Sequence, residues 1–118
     1  MKKIYHLSSC STCQRILQEV EAEKKGFVLQ DIKTDPITPA QLDELKEKAG
    51  SYEALFSRRA IKYKELGLKD RVLTEADYRR LILEEYTFLK RPVALVGKRL
   101  FAGSEKKVVA ELKAAAGE

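Results

Sequence analysis

The stretch KIYHLSSCSTC, residues 3–13, decides the fold, because a strand-forming run leads directly into two cysteines and a helix. β-Branched and aromatic residues predict a strand over residues 2–7, and serines then break the pattern. Apolar residues at helical spacing predict a helix over residues 11–24, which Gly26 ends. Residues 27–32 predict a second strand. The segment therefore predicts a β-α-β unit with parallel strands.

Helices follow this unit. Thr38, with Pro39 and Gln41 behind it, is typical of a helix N-terminus with a capping box. Residues 51–67 predict short helical turns, and Thr74 opens a further helix. We therefore expect an all-helical block in the middle of the chain.

The last part of the sequence predicts a β-hairpin and a terminal helix. Residues 92–96 and 100–102 form the two strands, joined by a turn at Gly97. Ser104 is expected to cap the last helix, and residues 114–118 are expected to fray.

This order predicts an α/β protein of the thioredoxin-like fold, a β-α-β unit plus a ββα unit. The all-helical block is inserted between strands two and three. We expect residues 1–118 to form a single thioredoxin-like domain, with residues 34–90 as the helical insertion.

Composition limits the classes of function. The chain has 44% hydrophobic and 35% charged residues, which is typical of a soluble globular protein. No apolar run approaches the ~20 residues of a membrane span, and the N-terminus does not resemble a signal peptide. We expect a cytoplasmic protein that binds neither membranes nor, despite its net charge of +5, nucleic acid directly.

Cys10 and Cys13 are the only cysteines and form a C-x-x-C motif. A thiol at the first turn of a helix meets free backbone N–H groups and the positive end of the helix dipole, which favour the thiolate. A second cysteine one turn later can attack a mixed disulfide formed on the first. The motif therefore predicts redox chemistry, with Cys10 as nucleophile and Cys13 as resolving thiol.

Other interpretations of the cysteines stay open. Zinc needs four ligands, and one C-x-x-C with a single histidine does not supply them, so we expect no metal site. Both cysteines could instead be buried and inert. Cys13, on the apolar stripe of its helix, could serve mainly in packing.

Polar residues around Cys10 are further candidates. His6, as imidazolium, could lower the pKa of Cys10, or it could be a strand histidine bonded to a nearby carbonyl. Ser11 and Thr12 offer hydroxyl and backbone N–H groups that could bind an oxyanion.

Three arginines could bind an oxyanion substrate. Arg58 and Arg59 form a pair that could equally be a solvated surface feature. Arg91 stands directly before Pro92. In a thioredoxin-like fold the third strand begins with a proline, commonly cis, that packs against the cysteine loop. Pro92 therefore has an expected structural role, and Arg91 should lie near Cys10. The sequence leaves the isomer open.

Several segments together resemble the family of glutaredoxin-coupled arsenate reductases and Spx proteins. They are Ile-Tyr-His at residues 4–6, Cys10, YKELGL at residues 63–68 and LKRPV at residues 89–93. The resemblance covers roughly residues 2–112 in the right order.

The reductase branch implies that Cys10 attacks arsenate, with His6 four residues before it and Arg91 on the oxyanion. The positions of the two other reductase arginines carry Ser57 and Ala102 here, with Arg58 and Arg59 just beyond the first. No bound cofactor is implied. Glutathione with glutaredoxin, or thioredoxin, would act as external reductant, and the partners would be a small oxyanion or disulfide and a redox protein.

The Spx branch implies a different role. Its members bind the C-terminal domain of the RNA polymerase α subunit and use the C-x-x-C as a redox switch, with an arginine at the position of Arg59 important in the oxidised state. A third hypothesis is that Cys10 acts on an unknown thiol partner without arsenic chemistry.

Overall fold

The computed structural model describes residues 2–117. They divide into two compact units, one formed by the described residues up to Pro36 together with those from Arg91 onward, the other by Ile37–Lys90.

The first unit contains a four-stranded mixed sheet. In chain order the strands are β1 (Lys2–His6), β2 (Val28–Asp31), β3 (Val93–Val96) and β4 (Arg99–Ala102). The spatial order is β2-β1-β3-β4, with β1 parallel to β2 and the other neighbours antiparallel. Because β1 and β2 are parallel, both end at the same edge of the sheet, where His6 is in register with Asp31.

Helices account for much of the remaining chain. Their bounds are α1 (Ser11–Glu19), α2 (Pro39–Ala49), α3 (Ile61–Glu65), α4 (Glu75–Glu84) and α5 (Lys106–Ala116).

The core of the first unit lies between the sheet and the helices α1 and α5. Ile4 and Ala94 from neighbouring strands share this core with Ile16 of α1 and Leu112 of α5, and all four are at most 2% exposed. The helical spacing of the apolar residues in α1 is therefore explained by burial against the sheet.

Three sequence predictions in this unit need correction. The helix predicted to reach residue 24 ends at Glu19, since Glu21 adopts a left-handed backbone (φ 53°) and the chain turns back to bury Ala22 and Phe27. The last helix is not capped by Ser104, because Glu105 is its N-cap residue and makes no side-chain cap.

The expected fraying of residues 114–118 is also wrong for most of that segment. Ala115 and Ala116 are helical and 1% exposed, because they pack into the core, while Glu118 lies outside the described residues.

The second unit is helical, as predicted for this part of the chain. Thr38 and Gln41 form the predicted capping box of α2, and Thr74 caps α4. Phe56 lies at the centre of an aromatic cluster, with ring centroids of Tyr78 and Phe88 at 4.9 and 5.0 Å. The unit thus has its own apolar centre.

The observed order of strands and helices confirms the predicted α/β, thioredoxin-like fold. Among residues 2–117, no helix is long and apolar enough to cross a membrane.

Candidate active site

Cys10 lies at the junction between β1 and α1. The chain leaves β1 at His6 and turns, and the N–H of Cys10 donates to the carbonyl of Leu7 at 3.0 Å. Cys10 has an extended backbone and is the N-cap residue of α1, with its side chain partly exposed. The thiol therefore sits where the backbone N–H groups of the first helical turn are unpaired.

The pKa of Cys10 is lowered. Partial burial acts in the opposite direction, but the backbone N–H and the thiol of Cys13, the charge of Arg91 and the backbone N–H of Thr12 outweigh it. The sulfur makes no full capping hydrogen bond, so the N–H groups act mainly as oriented dipoles. Cys10 therefore carries the thiolate at a lower pH than an ordinary cysteine.

Cys13 has the opposite character. Its side chain is fully buried, and burial raises its pKa to about 12, opposed by the backbone of Leu7 and the charge of Arg91. The hydrogen bond and negative charge of Cys10 raise the pKa further. The Cys13 thiol thus donates to the Cys10 sulfur, and both cysteines are free.

The pairing of β3 with β1 positions Arg91 near this site. Tyr5 of β1 is opposite Val93, which places Pro92 and Arg91 beside the end of β1 that leads to the cysteine loop. The Arg91–Pro92 bond is cis, which answers the question that the sequence left open. The positive charge of Arg91 lowers the pKa of both thiols.

His6 is buried and makes a different contact from the two considered in the sequence. Its Nδ1 lies 3.4 Å from Nε2 of Gln14, and His6 is in register with Asp31 of β2. The main groups that lower the pKa of Cys10 are Cys13, Arg91 and Thr12.

Ser11 and Thr12 form the first turn of α1 directly after Cys10. Ser11 is exposed and Thr12 half-buried, so this turn is accessible to solvent beside Cys10.

The paired arginines belong to the second unit. Arg58 donates to Glu53 at 2.8 Å and to the hydroxyl of Tyr78 at 3.0 Å, whereas the exposed Arg59 guanidinium has no ion-pair partner among the described residues. A role of either arginine in substrate binding stays a prediction from the sequence.

Gln14 and Asp31 are site residues that the sequence reasoning missed. Gln14 donates to the Leu7 carbonyl at 3.2 Å, and an Asp31 oxygen accepts from the N–H of Ser8 at 3.3 Å. Both hold the loop before Cys10. The position of Asp31 at the end of a parallel strand was the available signal, because such ends meet at one sheet edge.

A groove opens beside these residues. It has a volume of about 900 Å³ and is lined by His6 and Gln14 together with Leu17, Gln18 and Leu29. His6 and Gln14 can therefore be reached from one side of α1. Among residues 2–117, no cluster of three or more side chains is arranged to hold a metal ion.

The fold and the cysteine pair define the class as a thioredoxin-like protein with a thiol site at a helix N-terminus. The family model of the ArsC family matches residues 5–112, so the chain belongs to the ArsC family, as the sequence resemblance predicted. A search of curated proteins returned no match.

Solved structures from bacteria share the fold. A Yersinia pestis protein provisionally assigned as an arsenate reductase is 24% identical, with a TM-score of 0.78 over 94% of this chain and 99% of that one. The arsenate reductase from Vibrio cholerae is also 24% identical, with a TM-score of 0.73 over 94% of this chain and 96% of that one. An arsenate reductase-related protein from Brucella melitensis is 22% identical, with a TM-score of 0.71 over 90% of this chain and 88% of that one.

Proposed function

We propose that the protein is a thiol oxidoreductase of the arsenate reductase type, with Cys10 as nucleophile and Cys13 as resolving thiol. One observation carries the proposal. A partly exposed thiol of lowered pKa at a helix N-terminus is hydrogen-bonded to a buried thiol of raised pKa. Such a pair separates the attacking group from the resolving group before any substrate binds.

With a disulfide substrate, the Cys10 thiolate attacks one sulfur and the other sulfur leaves as a thiolate. The Cys13 thiolate then attacks the Cys10 sulfur, releasing the second substrate thiol and leaving a Cys10–Cys13 disulfide. The substrate gains two electrons, which the two cysteines supply. Glutathione with glutaredoxin, or thioredoxin, restores the dithiol in the cytoplasm, the compartment we propose for the protein.

The raised pKa of Cys13 is compatible with this order of reaction steps. Part of the increase comes from the hydrogen bond to Cys10 and from the charge of its thiolate. Both disappear once Cys10 is covalently modified, whereas the charge of Arg91 remains. The part of the raised pKa of Cys13 that is due to Cys10 is therefore lost at the moment of attack, while the part due to burial remains.

With arsenate, the Cys10 thiolate bonds to arsenic with loss of water. When Cys13 attacks the Cys10 sulfur, the electron pair of the sulfur–arsenic bond moves to arsenic and arsenite leaves. We propose that Arg91, with Ser11 and Thr12 of the first turn of α1, binds the oxyanion, because a guanidinium and helix N-terminal N–H groups favour anions.

The order of attack can be tested with a chromogenic aromatic disulfide and mass spectrometry. The wild type should release both substrate thiols and end with an internal disulfide. Cys13→Ser should release one and retain a mixed disulfide on Cys10. Cys10→Ser should release neither at neutral pH, because Cys13 is buried and protonated.

Ser9→Ala, in the same loop, is the matched control and should behave like the wild type. Release by Cys10→Ser at the wild-type rate would contradict the proposal. Arsenate reduction, assayed with glutathione and glutaredoxin against thioredoxin, then identifies the reductant. Loss of turnover in Cys10→Ser alone would indicate the glutaredoxin route, and loss in both variants the internal disulfide.

A redox-switched regulator of the Spx type is the second candidate. Two observations favour it: the contact of two free thiols, and an exposed Arg59 with no ion-pair partner within residues 2–117. Its test is capture of the C-terminal domain of the RNA polymerase α subunit by oxidised and reduced protein, with Arg59→Gln as a variant. Absence of binding in both states would eliminate this candidate.

A further inference from the structure

The side chain of Gln14 makes two contacts that constrain each other. Its Nε2 lies 3.2 Å from the carbonyl oxygen of Leu7 and 3.4 Å from Nδ1 of His6. A carbonyl oxygen can only accept a hydrogen bond, so the amide group facing Leu7 must be the NH2 and not the oxygen. The orientation of the amide therefore follows from the geometry.

The second hydrogen of the same NH2 group faces His6. Nδ1 must then accept, and the ring proton of a neutral imidazole resides on Nε2. We propose that Gln14 is a positioning residue, which holds His6 in the Nε2–H tautomer and anchors the turn that presents Cys10. This deepens the proposed function, on which its link to Cys10 depends.

The link to Cys10 runs through Leu7. Its carbonyl accepts from the Gln14 amide and from the N–H of Cys10 at 3.0 Å, while the backbone N–H of Gln14 donates to the carbonyl of Cys10 at 3.1 Å. The side chain of Gln14 thus holds the start of the turn Leu7–Cys10, while the main-chain bond to Cys10 is the first hydrogen bond of α1. This turn sets the direction of the Cys10 sulfur relative to the backbone N–H groups of Thr12 and Cys13.

Among the described residues, the charged groups that line the groove beside His6 or are in register with it supply no alternative donor to Nδ1. Asp31, in register on β2, is an acceptor that binds Ser8. Glu21 and Glu23 line the same groove as acceptors, and Lys24 there pairs with Glu21 at 3.4 Å.

NMR of the imidazole tests the proposal directly, because His6 is the only histidine in the chain and gives a single set of signals. Long-range nitrogen–carbon spectra, recorded at alkaline pH, distinguish the two tautomers. We expect the Nε2–H form in the wild type. Gln14→Glu replaces the donor by an acceptor of the same shape and should invert the ring to the Nδ1–H form, whereas Gln14→Met should leave a mixture.

Gln18→Met is the matched control. Gln18 lies one turn further along α1 and lines the same groove, but its side chain makes no hydrogen bond to the described residues. This variant should keep the wild-type tautomer. A wild-type ring in the Nδ1–H form, or a Gln14→Glu ring that stays Nε2–H, would overturn the proposal. If the Gln14 variants do not fold, the wild-type spectrum still tests the proposal, because a ring in the Nδ1–H form would overturn it.

The pH profile of Cys10 alkylation tests the second part, measured in a Cys13→Ser background. Gln14→Met should slow alkylation at neutral pH about fivefold, the effect of losing one hydrogen bond, and Gln18→Met should not. An unchanged profile would reject the link to Cys10. The NMR measurement of the His6 tautomer does not require a reactive cysteine. Its result is therefore independent of whether the proposed function holds.

Discussion

Cys10 and Cys13 are separated by one helical turn, yet their environments shift the pKa values of the two thiols in opposite directions. Cys10 lies near the N-terminal N–H groups of α1 and the positive charge of Arg91, whereas the side chain of Cys13 is completely buried. Residue identity and spacing indicated this chemistry. The opposite shifts of the two pKa values, however, depend on burial, which the three-dimensional structure determines.

Replacing Arg91 by Gln should raise the pKa of Cys10, because a positive charge that favours the thiolate is lost. The lowered pKa supplies thiolate at lower pH, so the variant should alkylate several-fold more slowly at neutral pH and reach the wild-type rate only at alkaline pH. Iodoacetamide kinetics against pH measure this.

Arg15→Gln is a matched control for the Arg91 variant. It removes the same charge from the exposed face of α1, where Arg15 pairs with Glu19 at 3.4 Å. Its profile should match the wild type. Equal shifts in both variants would show that only net charge matters.

At the scale of helices and strands, α1 begins with a residue that caps it poorly. Cys10 occupies the N-cap position without a full hydrogen bond, whereas serine is among the preferred residues there. The N-terminus of α1 is therefore less stable than one capped by serine, and its backbone N–H groups stay near the Cys10 sulfur.

We expect Cys10→Ser to abolish reactivity and to raise the free energy of unfolding by up to about 1 kcal/mol, because a hydroxyl can cap α1. Urea denaturation measures this. Cys10→Ala, which cannot cap, should not be stabilised. A stability of Cys10→Ser below that of Cys10→Ala would contradict the capping argument.

Helices α2 and α4 are joined by an ion pair with a clear pH dependence. Asp43 accepts from Arg79 at 2.9 Å and from the hydroxyl of Tyr52 at 2.6 Å, and these contacts lower its pKa to about 2. A lowered pKa stabilises the folded state above the unfolded value near 4. This stability is lost as the pH falls from about 4 to about 2.

Asp43→Asn should therefore flatten the decline in thermal stability between about pH 4 and about pH 2. The exposed Asp70, which forms no ion pair with the described residues, supplies the control Asp70→Asn, whose decline should follow the wild type. If Asp43→Asn declines as steeply as the wild type, this ion pair does not contribute to the acid response.

At the scale of the whole molecule, the two ends of the described chain meet within the first unit. Ala115 and Ala116 are buried, and Nζ of Lys2 donates to the carbonyl of Ala116 at 3.0 Å. The C-terminal segment is thus part of the folded structure, although an alanine-rich tail is typical of a frayed end.

Removal of residues 114–118 should lower the free energy of unfolding by about 2 kcal/mol, from the lost burial of alanine side chains and the lost last turn of α5. Thermal and urea denaturation measure the change. A chain that ends at Gly117 is the control and should be as stable as the full chain. Equal stability of the longer truncation would mean that the burial of Ala115 and Ala116 contributes little.

Local patterns in the sequence were sufficient for much of the fold. The β-α-β unit, the Thr38 capping box and the terminal hairpin each depend on residues close together in the chain, and all three are present. The end of α1 was not predictable in this way, since the chain turns at Glu21 to bury Ala22 and Phe27, which is a tertiary requirement.

The sequence by itself determined the α/β class, the order of the elements and Cys10 as the candidate nucleophile, because these follow from short-range periodicity and from the position of a thiol at a helix N-terminus. Only the tertiary structure decided the opposite acidities of Cys10 and Cys13 and the partner of His6. Acidity depends on burial and on charges from residues far away in the sequence, such as Arg91, which lies two residues before β3. The contact between Gln14 and His6 joins α1 to β1 and depends on the burial of α1 against the sheet.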